Sequence, residues 1–309
     1  MAKDLFYFFV FPGLLFVSIA GALLSWFDRK ITARVQFRKG PPLLQPFYDF
    51  FKLLKKEIIL PQRGSQTVFL LMPVLALIGA TAAAVFILLP LFQIRTGFAG
   101  DILVIVYLLN IPFLSLVIGA AASANPLSSV GASREIKLML SYEVPFLFSL
   151  LIVVIKSGMN IRLFDILQSQ AAGGAFIGSF SGALGFIVAV FCVQAKLGWV
   201  PFDVAEAETE ISEGIVLEYS GAPYAFIKLA RHILLFSLTA LLVVLFLGGI
   251  SLKGFGPLWA VLKLLLVVLL LTLIRNTNPR AKIAQAMRFF WSGMSLLAIA
   301  GIVLAFLEL

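Results

Sequence analysis

Six carboxylates crowd sixteen residues of a chain that is otherwise apolar and basic: Asp203, Glu206, Glu208, Glu210, Glu213 and Glu218. They fall in Pro201-Phe-Asp-Val-Ala-Glu-Ala-Glu-Thr-Glu-Ile-Ser-Glu-Gly214, which closes with Glu218-Tyr219-Ser220-Gly221 between two long hydrophobic segments. If 201–214 is helical, Asp203, Glu206, Glu210 and Glu213 share one face at spacings of three, four and three, and Glu208 points away. Pro201 is acceptable in a first turn, and early carboxylates favour the positive end of the helix dipole. Four close carboxylates shielded from water cannot all stay ionised, so they would titrate as a coupled set. That chemistry holds and passes protons or cations; it carries no electrons by itself. The plain alternative is a solvated acidic loop. Phe202, Ile211 and the run Ile215-Val-Leu, interleaved with the acids, argue against it.

Other charged groups lie inside apolar stretches. Glu143 follows Ser141-Tyr142 in one of them. A carboxylate there is costly and faces a bundle interior or a wet cavity. Lys137 and Arg134, six and nine residues earlier, are its candidate partners, and a structural ion pair is the alternative to a functional role. Lys228, Arg231 and His232 share a face at the start of another segment and invite carboxylates from the acidic stretch. His232 is of the type that changes charge near neutrality, although a lone histidine is more often a hydrogen-bonded structural residue. Lys263 stands alone in a further segment, as a relay lysine or as the partner of a carboxylate on another helix. One Cys and one His exclude an internal disulfide, an iron–sulfur cluster, a structural zinc site and a bis-His haem. The chain therefore carries no metal redox centre of its own unless a partner supplies ligands. Cys192, in an apolar run, reads as a small buried hydrophobe. There is no Walker-type phosphate loop, nucleophile elbow or zinc signature, so independent catalysis is not expected.

The elements that position these groups are membrane spans. Hydrophobic residues make up 61% of the chain and charged ones 13%, with a mean hydropathy of +1.06. Those values describe a polytopic membrane protein, in which a net charge of +9 marks loops and anionic lipid headgroups, not nucleic acid. A span needs about 20 mainly apolar residues. Eight segments qualify: 5–26, 67–90, 101–122, 137–156, 175–196, 222–249, 256–275 and 288–308. The expected fold is all-α: one transmembrane domain over 1–309, with a basic cytoplasmic loop at 27–66 and an acidic cytoplasmic loop at 197–221. The odd-numbered loops carry most of the Lys and Arg, which places them in the cytoplasm and both termini outside. Residues 45–58, with Phe47, Phe50, Phe51, Leu54 and Ile58 at helical spacing, predict an amphipathic interfacial helix, either a membrane-surface helix or a clamp on a peripheral partner. Gly174, Gly178 and Gly182, with Gly185 beyond, predict close helix packing at the start of the fifth span. No internal repeat supports an inverted-repeat transporter. The N-terminal apolar run lacks the positive region of a signal peptide and reads as a retained span.

Three motifs in order carry a family resemblance. They are Asp28-Arg-Lys with Arg38-Lys-Gly-Pro-Pro-Leu-Leu-Gln-Pro-Phe-Tyr-Asp-Phe-Phe-Lys-Leu-Leu-Lys-Lys-Glu57, then Ser141-Tyr-Glu143, then Pro201-Phe-Asp through Glu218-Tyr. Over essentially the whole chain they resemble the membrane subunit at the hinge between peripheral and membrane arms in complex I and in energy-converting hydrogenases. Gly-Pro-Pro-Leu-Leu-Gln-Pro and Glu-Tyr-Ser-Gly look more like the membrane-bound group 4 nickel–iron hydrogenases and their sulfane-reductase relatives. The resemblance implies a non-catalytic part of a multi-subunit oxidoreductase in the plasma membrane. Its partners would be hydrogenase-like small and large subunits, which hold the NiFe centre and iron–sulfur clusters, and antiporter-like membrane subunits that move protons or sodium. It places Glu143, Asp203, Glu206, Glu208, Glu210, Glu213 and Glu218 on the coupling path, and Arg29, Lys30, Arg34, Arg38 and Lys39 against the peripheral arm. Two other readings stand beside it: the quinone-site subunit of a complex I-like dehydrogenase, and a free-standing ion transporter.

Overall fold

The computed structural model describes residues 2–250 and 254–308. Among these residues every regular element is helical. The α-helices are α1 (Ala2–Phe9), α2 (Leu14–Val35), α3 (Gln45–Leu54), α4 (Gln66–Leu91), α5 (Asp101–Ala122), α6 (Pro126–Lys156) and α7 (Leu163–Gly173). They continue with α8 (Phe180–Lys196), α9 (Glu208–Ile211), α10 (Gly221–Phe246), α11 (Gly256–Thr277), α12 (Ile283–Arg288) and α13 (Ser295–Phe306). Seven stretches have the length and hydropathy of a span, and α8 is a shorter apolar helix of 17 residues, which together make the eight expected. The protein is a polytopic membrane protein.

The bundle is built round α10. Of its most apolar window, 83% is buried, against 28% for α11 and for the α12–α13 stretch. A helix apolar on all sides belongs at the centre, and polar atoms there need partners. The end of α10 is capped from two other elements. Gln170 Nε2 donates to the Val244 carbonyl at 2.7 Å and its Oε1 accepts from the Gly248 amide at 2.9 Å. Lys263 Nζ donates to the carbonyls of Leu247 (2.5 Å) and Gly249 (3.0 Å). Lys263 thus caps the end of α10, and among the described residues no carboxylate pairs with it. Around α10 pack α2, α3 and α4, with α5 on α4, and α6 joined to α8 and α13.

Several boundaries differ from the sequence reading. Residues 27–35 continue α2, because no Gly or Pro interrupts 27–39, and the turn comes at Phe37 with φ 57°. The basic connection therefore starts at residue 36. α6 begins at Pro126 with Asn125 as its N-cap, accepting from the Leu127 amide at 2.9 Å, so Arg134 and Lys137 are helical. Its first turns are too polar to register as a span. Hydropathy does not disclose α7, whose buried stripe is only Leu163, Ile166 and Gln170. The amphipathic helix is real but ends at Leu54. Gly174 (φ 91°) ends α7 and Gly178 closes a 3-10 turn, with nothing within 4 Å of either Cβ position among the described residues. Close helix packing falls instead to Gly185, whose Cβ would lie 3.1 Å from the Phe246 ring and 3.3 Å from Ile152. Residues Phe289–Met294 form a π-helical turn that joins α12 to α13.

Candidate functional site

The acidic stretch is not one helix. It runs as a 3-10 turn (Val204–Glu206), the four-residue α9 and a second 3-10 turn (Gly214–Val216). Ser212 and Glu213 take φ of 51° and 70°, which no continuing helix allows. Phe202, Val204, Ala205, Ala207, Ile211, Ile215 and Val216 are buried and pin the segment to the bundle. With the apolar groups turned in, the carboxylates splay toward different partners, so the single acidic face is not formed. Asp203 pairs with Arg280 at 2.8 Å. Glu206 takes both terminal nitrogens of Arg231. Glu210 meets Arg134 at 2.6 Å, and Glu218 accepts from Asn125 Nδ2. Glu213 is exposed, and the Glu208 side chain lies outside the described residues. Burial raises the Asp203 carboxyl above its ordinary value, and Arg280 partly offsets this.

Deeper in, Glu143 finds a partner other than Lys137 or Arg134. Lys137 is exposed and Arg134 is taken by Glu210. The cation is Lys196, at the end of α8, 3.1 Å from Glu143 Oε2 and with a fully buried side chain. Asn110 of α5 closes the triangle: its Nδ2 donates to Glu143 Oε1 at 2.9 Å, and its Oδ1 accepts from Lys196 Nζ at 2.6 Å. The ammonium also lies 5.0 Å from the Tyr142 ring centre and 5.1 Å from that of Phe146. Amide, carboxylate and two ring faces together offset part of the cost of placing a cation there.

A cavity of about 370 Å³ joins these two regions. Its wall includes Asp203, Glu206, Arg231, Glu135 and Lys196, so it reaches from the acidic stretch to the Glu143–Lys196 pair. Lys228 and His232 face it from α10, while Asp28 and Arg29 face it from α2. Asp28, almost fully buried, accepts from Arg275 Nη1 and Thr272 Oγ1, both at 3.0 Å. Lys228 Nζ stacks 4.7 Å from the Tyr224 ring centre. The volume suits a small molecule or a file of water. Among the described residues no three His, Cys, Asp or Glu side chains converge as metal ligands.

The five basic residues expected to meet a peripheral arm divide between the end of α2 and the first connection. Arg29 turns inward to Asp49 of α3 at 2.8 Å, and Lys30 is half-buried. Arg34, Arg38 and Lys39 are exposed beside Phe37, which is 100% exposed. Ile59 and Ser220 are hydrogen-bonded at 2.8 Å. The basic connection and the acidic stretch therefore meet at one end of the bundle, where Arg134 and Arg280 join them. Arg95 and Asp4 pair at 2.6 Å and tie α1 to the second connection. Sequence reasoning missed Glu135, Asn110 and Lys196. Each is a polar residue in or beside an apolar run, which was the available signal; Lys196 read as the edge of a span.

The comparisons with known proteins agree with one another. The family model described as NADH dehydrogenase matches residues 9–306. An NADH-quinone oxidoreductase subunit of Brevibacillus brevis is 34% identical over 314 residues, covering 96% of this chain and 91% of the relative. The subunit of the same name in Anoxybacillus flavithermus is 36% identical over 290 residues, covering 89% and 85%. A chain of the membrane-bound sulfane sulfur reductase, an archaeal respiratory membrane complex, superposes with a TM-score of 0.89 at 27% identity, covering 99% of this chain and all of that one.

Proposed function

This chain belongs to the NADH dehydrogenase family and is a complex I-like membrane subunit, and we propose that it anchors a peripheral redox arm and couples its electron transfer to ion movement in a respiratory hydrogenase-like complex. One observation carries the reading: the charged cavity that links the acidic stretch, where an arm would dock, to the buried Glu143–Asn110–Lys196 triangle. A change of charge beside Asp203 or Glu206 alters the field along that cavity. Glu143, held by one cation and one amide, responds by taking or releasing a proton. The ion moved onward by antiporter-like neighbours is H⁺ or Na⁺. The NiFe centre and iron–sulfur clusters belong to the hydrogenase-like small and large subunits of the arm. The arm and both loops lie on the cytoplasmic side of the plasma membrane, in keeping with the basic residues gathered at that end.

A second reading, as the quinone-site subunit of a dehydrogenase, is favoured by the names of the relatives at 34% and 36% identity and by the small-molecule size of the cavity. Purification through this chain separates the two. Nickel and iron with hydrogenase-like subunits and no quinone support the first, and iron without nickel, flavin or quinone supports its sulfane-reductase form. Flavin, clusters and quinone without nickel support the second. A lone polypeptide after gentle extraction would sink both and leave a transporter. Glu143→Gln and Glu210→Gln are each expected to leave assembly intact and to weaken pumping. Full pumping in both variants would exclude a required relay role at either position.

A further inference from the structure

Two buried polar groups of α6, one on the cavity wall and one against Lys196, have no part in the coupling path so far. Glu135 of α6 is 7% exposed and lines the cavity, and among the described residues it forms no hydrogen bond or ion pair. The other carboxylates that face the cavity are each held by a partner: Asp28 by Arg275, Asp203 by Arg280 and Glu206 by Arg231. The charged groups that act on Glu135 are Glu206 from the acidic stretch and Arg231 from α10, with Lys196, Lys228 and His232 on the same cavity wall. Tyr142 is fully buried, and its hydroxyl has no hydrogen-bond partner among the described residues. Seven residues separate the two, which is two helical turns on one face of α6, about 10 Å along the axis. Helical side chains lean toward the helix N-terminus, so the long Tyr142 side chain reaches back toward Glu135. On the far side, the Tyr142 ring carries the Lys196 ammonium that holds Glu143.

We propose that Glu135 and Tyr142 form a proton-transfer step between the cavity wall and Glu143. Glu135 is the cavity carboxyl that takes up a proton without first breaking a salt bridge. The proton then passes through bridging water to the Tyr142 oxygen, whose own proton moves on to Glu143. One proton enters, one leaves and no electron is transferred. Protonated Glu143 no longer holds Lys196 as an ion pair, so the step changes the charge at the head of the path.

The step rests on the coupling role given to Glu143, so the experiment carries Glu143→Gln in parallel. The intact complex is purified through this chain and placed in vesicles, and electron-transfer-driven proton movement is read with a pH dye. Glu135→Gln and Tyr142→Phe are each expected to assemble with the redox subunits and to lower proton movement about tenfold. Glu135→Asp should restore part of it. Redox-difference infrared spectra should show a carboxylic-acid band that Glu135→Gln removes. Wild-type pumping in either single variant, or survival of that band in Glu135→Gln, overturns the step while a defective Glu143→Gln keeps the coupling role. Full pumping in Glu143→Gln as well would overturn the coupling role itself.

Discussion

Lys196 is held by what touches it. Its side chain is wholly buried, and its ammonium is shared among Glu143, Asn110 and the faces of Tyr142 and Phe146. Removing the ammonium leaves the Glu143 carboxylate unpaired, at a cost of up to about 3–5 kcal/mol, whereas Glu143→Gln keeps an acceptor oxygen for Lys196 and costs much less. Lys196→Met should therefore lower the unfolding temperature of the purified complex, or prevent assembly, and the double variant Lys196→Met with Glu143→Gln should recover more than half of the loss. Additive losses in the thermal melts would show that the two side chains do not depend on each other. Glu143 was legible in the sequence because a carboxylate inside an apolar run is conspicuous. Its partner was not, because 53 residues separate them and only the meeting of α6 and α8 brings them together. Nearer in sequence, Lys137 is the obvious cation, but at that register its side chain leaves the bundle.

At the scale of elements, α3 is fastened to the bundle by a polar clamp. Its aromatic side chains Tyr48 and Phe51 are largely exposed, while Asp49 receives Arg29 Nη1 at 2.8 Å and Gln45 Nε2 at 2.9 Å. Burial pulls the Asp49 carboxyl up, and the bonds from Arg29 and Gln45 more than offset it, so the group titrates below its ordinary value. A depressed carboxyl contributes stability that is present above its unfolded pKa of about 3.9 and is lost as pH falls through the lower folded value. Both partners are about a third exposed, so the clamp is worth at most about 1 kcal/mol. Proteolysis of residues 36–66 should accordingly rise up to about fivefold below pH 4 in the wild type. Arg29→Gln should show the raised rate already at pH 7 and little further change on acidification; an unchanged cleavage rate would mean that apolar packing alone holds α3. The periodicity of 45–58 disclosed this helix, as hydropathy disclosed the spans. The break in the acidic stretch was hidden for a physical reason. Helical spacing of Asp203, Glu206, Glu210 and Glu213 is compatible with a helix, but burial of Phe202, Ile211 and Ile215 from a chain that must also turn at Ser212 and Glu213 is not. Tertiary packing overrode local pattern there, and it separated the carboxylates that the pattern had gathered.

For the molecule as a whole, the end of the bundle that gathers the acidic stretch also presents an unpaired apolar and basic surface. Phe37 is fully exposed at a left-handed backbone position, flanked by exposed Arg34, Arg38 and Lys39. A non-glycine residue in that conformation costs about 1 kcal/mol or more, and an exposed Phe gains nothing from water, so a partner that covers the turn would offset both costs. Under the anchoring function, that partner is the peripheral arm, and the contact combines a screened charge contribution with an aromatic anchor. The two parts should separate in a salt titration. Exchange of Arg34, Arg38 and Lys39 for Gln should release the redox subunits at a lower salt concentration than in the wild type and flatten the dependence of retention on salt. Phe37→Ser should weaken retention about tenfold or more at every salt concentration and leave the slope unchanged, because an apolar contact is not screened. If both variants keep their redox subunits to the wild-type salt concentration, the arm docks elsewhere on this end and the turn at residue 37 meets some other neighbour.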